Sequence, residues 1–126
     1  MLQEKINLEN ITDKIIEDNY YKIVELFGRI EYVGCYNLAV AVTLYNATYK
    51  QLKDLYEDVA SVCGSTFTAV ERNIRVYLEV ILEDKTIDDI SGLINYPLNK
   101  TRTSLHAKEF IAALKLHLVR SNAEVE

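Results

Sequence analysis

The chain has 126 residues and a mass of 14.5 kDa, which fits one domain. Apolar residues make up 49% and charged residues 26%, enough for a core that needs neither disulfides nor a structural metal. With four glycines and one proline, Pro97, there is too little turn punctuation for a sandwich or barrel.

The first helical pattern runs from about Leu8 to Phe27, with Ile11, Ile15, Ile16, Tyr20, Ile23 and Phe27 in phase and Gly28 closing it. A second helix, about 35–46, is almost wholly apolar through Leu38–Val42, which places it centrally. A third spans about 50–63, with Leu52, Leu55, Tyr56, Val59 and Cys63 on one face. Gly64-Ser65-Thr66 breaks the pattern before a long fourth helix, about 67–83. Thr86 caps a short fifth helix that turns Ile87, Ile90, Leu93 and Ile94 inward. Residues 95–103 read as a loop, and a last helix covers about Ser104 to Arg120, with Phe110, Ile111, Leu114 and Leu118 inward. The fold class is all-α: a single domain of six helices containing a helix-turn-helix.

No glycine-rich nucleotide loop occurs. Cys35, Cys63, His106 and His117 lack the paired spacings of a zinc site and read as packed or surface residues. Asp88-Asp89 and Glu57-Asp58 are adjacent, and helical neighbours point about 100° apart, so neither pair makes a catalytic dyad. The nine tyrosines, such as Tyr45 and Tyr77, fall at core spacings. The sequence points to no enzyme and no cofactor. No apolar run is longer than that of Leu38–Val42, far short of a membrane span, and Met1–Lys5 lacks a signal-peptide pattern, so a cytoplasmic protein is expected.

The formal charge is −5, which argues against coating nucleic acid by bulk charge. Residues 1–63 carry six basic and ten acidic side chains, whereas 99–120 carry five basic and one acidic. With a screening length of about 8 Å at physiological salt, that local surface matters more than the total.

The segment 51–83 has the layout of a helix-turn-helix. Ala60 is small where two helices would cross, and Gly64 ends the first of them. In the second, Phe67, Val70, Ile74, Tyr77, Leu78 and Ile81 form one stripe. The opposite face carries Thr68, Ala69, Arg72, Val76 and Glu79, with Arg75 on its shoulder. Two arginines in the first half of such a helix sit where recognition helices touch base edges.

Val70-Glu71-Arg72-Asn73-Ile74-Arg75, followed by Leu78-Glu79-Val80, resembles the recognition helix of the stage zero sporulation protein A effector domain family. The likeness continues through Ile87-Asp88-Asp89-Ile90-Ser91-Gly92-Leu93, Tyr96 and Glu109-Phe110-Ile111-Ala112; upstream, Leu44-Tyr45-Asn46 and Leu55–Ala60 also match. It covers roughly residues 27–118, with 1–26 an additional helical segment and 119–126 expected as a frayed tail.

The resemblance implies a DNA-binding module of a sporulating Gram-positive lineage, its recognition helix in the major groove of double-stranded DNA. Carried over, Glu71, Arg72 and Arg75 read the bases; Thr66 and Thr68 lie near the DNA backbone; and the basic loop offers Arg102 and Lys108. Residues 1–26 are too short for the family's receiver domain, so neither phosphorylation control nor receiver-driven dimerisation is expected to carry over. A monomer or weak dimer that pairs on DNA is expected. Val76 replaces a histidine, and Ser104-Leu105 replaces a Lys-Pro pair in the basic loop. In the family, 86–96 faces the sigma subunit of RNA polymerase; here Asp89 and Ile94 replace serine and phenylalanine, which weakens that partner. Two alternatives stay open: a protein-interaction module that kept the fold but lost DNA binding, and a plasmid or phage DNA-maintenance protein.

Overall fold

The described residues form six helices: α1 (Leu2–Phe27), α2 (Val33–Leu44), α3 (Leu52–Cys63), α4 (Phe67–Asp84), α5 (Ile87–Ile94) and α6 (Ala107–Val125). The structure, a computed structural model, describes residues 2–99 and 103–125, with side chains for 12–99 and 103–121. The all-α expectation holds, and no strand occurs among the described residues.

Helix α2 is the axis of the molecule because its sequence leaves it no polar face. From Gly34 to Val42 every residue except Tyr36 is buried. Helices α1, α3, α4 and α6 all pack on it. From α1, Ile16, Ile23 and Phe27 reach the core at spacings that keep one face inward. Asn19, buried on the same face, donates from Nδ2 to Thr43 Oγ1 at 2.9 Å. The C-terminal carbonyls of α2 are met by Lys115 of α6, whose ammonium donates to Thr43 O at 3.1 Å and to Tyr45 O. A cation at that end complements the helix dipole, and burial pushes the Lys115 pKa down.

Helix ends follow local chemistry. Gly28 (φ +67°) closes α1 and Gly64 (φ +63°) closes α3, both in the left-handed region that glycine tolerates. In α5, Thr86 Oγ1 accepts from Asp89 N at 3.0 Å while Asp89 Oδ2 accepts from Thr86 N at 3.0 Å, a reciprocal capping box.

Several boundaries differ from the periodic reading. Helix α1 begins at Leu2 rather than near Leu8, and α2 begins and ends two residues earlier. Helix α6 starts at Ala107, not Ser104, and stays helical to Val125, past the expected end at Arg120. Leu93 is 39% exposed, contrary to its expected inward position. The inward stripe of α5 is the buried Ile90 and Ile94 with the half-buried Ile87, and Leu93 stands about 100° from Ile94, beyond the stripe's edge. Tyr77 is buried as expected, whereas Tyr45 caps the end of α2 and is only half-buried.

Candidate nucleic-acid interface

Helices α3 and α4 are joined by three residues, Gly64-Ser65-Thr66. Gly64 turns the chain, and Ser65 N–H returns to Ala60 O at 2.9 Å, closing α3. Thr66 opens α4: its Oγ1 accepts from Ala69 N at 3.1 Å. Thr66 is thus the N-cap of α4 as well as a candidate DNA-backbone neighbour. Capping leaves the hydroxyl proton free to donate outward.

The core side of α4 is the predicted stripe. Val70, Ile74, Tyr77, Leu78 and Ile81 are buried, and Phe67 is half-buried beside Tyr56. Opposite lie the exposed Thr68, Arg72 and Glu79, with Val76 half-buried. Arg72 stands nearly diametrically across from the stripe, at the crest of the helix. Among the described residues it has neither a hydrogen bond nor an ion pair. Arg75 is also exposed but turned to one side, and its Nε donates to Glu71 Oε1 at 3.1 Å. The two arginines therefore differ: one guanidinium is uncommitted, the other is steered by a carboxylate one turn earlier.

Arg75 and Glu71 form one wall of a groove of about 360 Å³ whose floor includes Tyr56 and Leu78. Ser104, Leu105 and Ala107, which lead into α6, form the other wall. The segment leading into α6 is thus set beside the Glu71–Arg75 flank of α4. Burial and the nearby Glu71 carboxylate hold the Tyr56 phenol well above its usual pKa, so it stays neutral. Lys108, one residue into α6, donates from Nζ to Lys50 O at 3.1 Å, tying α6 to the loop before α3. An ammonium has three protons, so this bond occupies part of its capacity. Arg102 lies outside the described residues.

What sequence reasoning missed lies behind α4, where α2 crosses it. Gly34 is buried, and a Cβ there would stand 2.0 Å from Asn73 O and 2.7 Å from Tyr77 Cβ. The close backbone approach to α4 is therefore at Gly34 of α2. One turn on, Asn37 Oδ1 accepts from Asn73 Nδ2 at 3.1 Å, and Asn37 Nδ2 donates to Cys63 Sγ at 3.6 Å. The visible sign of this was an asparagine set into an otherwise apolar helix.

Among the described residues, no cluster of His, Cys, Asp or Glu could hold a metal, and no helix is long and apolar enough to cross a membrane. The family model described as sporulation initiation factor Spo0A C terminal matches residues 30–118, more than two thirds of the chain. The match takes in α2 to α5 and most of α6, and leaves α1 outside. No solved structure matches the chain.

Proposed function

The chain belongs to the sporulation initiation factor Spo0A C-terminal family, a family of DNA-binding regulatory domains, and from that premise we propose that it binds double-stranded DNA sequence-specifically, with α4 in the major groove. The observation that carries this reading is Arg72, exposed and uncommitted at the crest of a helix whose opposite face is fully packed. A guanidinium there can donate twice to one guanine edge. Arg75 reaches a neighbouring position in an orientation set by Glu71. Thr66 and Thr68 lie at the start of α4, where exposed amides and the helix dipole favour a phosphate. Lys108, at the start of α6, and Arg102, a residue of the basic loop sequence, supply contacts to the DNA backbone. The free protein is a monomer or a weak dimer that pairs on DNA. The α5 face that would meet a sigma subunit carries Asp88, Asp89 and the exposed Leu93.

The test compares Arg72→Ala and Arg102→Ala on a duplex enriched by the protein from a random pool and on a scrambled duplex. Arg72→Ala removes a base contact, costing about 1–3 kcal/mol on the enriched duplex and relaxing preference at one position. Arg102→Ala weakens binding to both duplexes alike, since phosphate contacts carry no sequence information. Equal, sequence-independent losses from both variants refute major-groove reading by α4. Failure of the wild-type protein to bind any duplex leaves the protein-interaction module as the better account.

A further inference from the structure

A side chain that never reaches the surface of α4 holds the position of residue 73, next to Arg72. Asn37 is 3% exposed, and Asn19 is the other buried polar side chain among the described residues. A carboxamide in that setting must be satisfied on both ends. Its oxygen takes the Asn73 amide at 3.1 Å and its nitrogen reaches Cys63 Sγ at 3.6 Å. Cys63 is the last residue of α3, and Asn73 lies in the second turn of α4. One amide on α2 therefore spans the turn at 64–66 and ties together the two helices on either side of it. Three residues earlier on α2, Gly34 lies against the carbonyl of Asn73 itself. Residue 73 is thus clasped twice, by side chain and by backbone, and it directly precedes Ile74 and follows Arg72.

We propose that Asn37 is a specificity-determining positioning residue, its carboxamide fixing the rotation of α4 relative to α3 and so the aim of Arg72. This rests on the DNA-binding reading above. An apolar side chain of similar size fills the space but holds no direction, because packing contacts are not directional as hydrogen bonds are. Non-specific affinity comes from charge at the surface and is insensitive to a small rotation of α4, whereas a bidentate base contact is not.

The experiment measures affinities of wild type, Asn37→Leu, Asn73→Ala and the double variant for the pool-enriched duplex and its scrambled counterpart, with Arg72→Ala as reference. Cooperative melting is checked for each. Asn37→Leu is expected to reduce the ratio of the two affinities about tenfold while changing affinity for the scrambled duplex less than twofold. Asn73→Ala, which breaks the same linkage from the less buried end, is expected to act similarly. The double variant should be no worse than either single one, since all three remove one linkage. Should Asn37→Leu fail to fold, Asn73→Ala alone decides. An unchanged ratio in a folded variant, or equal losses on both duplexes, overturns the proposal. If Arg72→Ala loses discrimination while the asparagine variants keep it, the DNA-binding reading survives and the positioning role does not. A wild type without discrimination ends both.

Discussion

Replacing Gly34 by alanine adds one methyl group where α2 and α4 touch. The new Cβ would lie 2.0 Å from Asn73 O, 2.7 Å from Asn73 C and 2.7 Å from Tyr77 Cβ. Two of those atoms are backbone, so no rotamer change relieves the clash and the helices must part by about 1 Å. A gap of that size forfeits roughly a quarter to a half of each dispersion contact across the crossing. Overpacking of this kind costs about 1–3 kcal/mol, and a backbone obstacle puts it at the upper end. Alanine's better helix propensity returns less than about 1 kcal/mol, because Gly34 is only the second residue of α2. The net loss is about 2–3 kcal/mol, which for a domain of 126 residues lowers Tm by roughly 10 °C. Gly92, exposed in α5 with nothing within 4 Å of its would-be Cβ, is the control. Gly92→Ala should instead stabilise by about 0.5–1 kcal/mol. Thermal melts followed by circular dichroism read both variants. Equal melting of Gly34→Ala and wild type refutes the close crossing of α2 and α4.

Tyr77→Phe leaves Gly28 O without its 2.8 Å hydroxyl donor, and urea titration should show a loss of about 1 kcal/mol. Burial raises the phenol pKa of both Tyr56 and Tyr77, so the unfolded chain releases their protons first. Stability should therefore fall as pH rises above about 10, read by urea melts between pH 9 and 11, with a shallower fall in Tyr77→Phe. Asp89 is held below its usual pKa by the Thr86 cap, so its contribution is present above the unfolded value of about 4 and lost as pH falls below it; Asp89→Asn should flatten that acid limb. The few cations at the proposed interface predict a modest slope of log affinity against log salt, about −3 to −5 per protomer, and a slope near zero in mobility shifts would contradict it.

The parts of the fold legible in the sequence are those set by local chemistry. Val70, Ile74 and Tyr77 recur at helical spacing and are buried; Thr86 is followed by Asp89 and forms the box; Gly64 takes the positive φ that ends α3. The outward placement of Arg72 and Arg75 followed from 100° per residue alone, and the Glu71–Arg75 pair has the i,i+4 spacing that brings such side chains together. What could not be read depends on which helix meets which. Gly34 needs to be glycine because α4 passes over it, a fact of tertiary packing invisible in α2 itself. Asn37 looks like an interruption until Asn73 and Cys63 arrive from 36 and 26 residues away. Lys108 counts as a free cation in sequence, yet Lys50 O holds it. Leu93 reads as inward by its hydrophobicity, but a helix of eight residues buries one narrow stripe.

An acidic chain can read DNA if its charges are segregated and its reading helix is held rigidly. Helix α1 carries six acidic and three basic residues, and α5 opens with Asp88 and Asp89. The proposed interface draws its cations from Arg72, Arg75, Arg102 and Lys108, whereas Lys115 is spent on the carbonyls of α2. Beyond a screening length of about 8 Å the acidic surfaces matter little to a bound duplex, but they disfavour any approach that presents α1 or α5. Weak bulk attraction also means that little affinity is available from non-specific contacts. On the proposed reading, discrimination then rests on the aim of a few side chains, and that aim is set from behind by α2. Changes at Gly34 or Asn37 should accordingly alter sequence preference more than changes of equal size in net charge on α1.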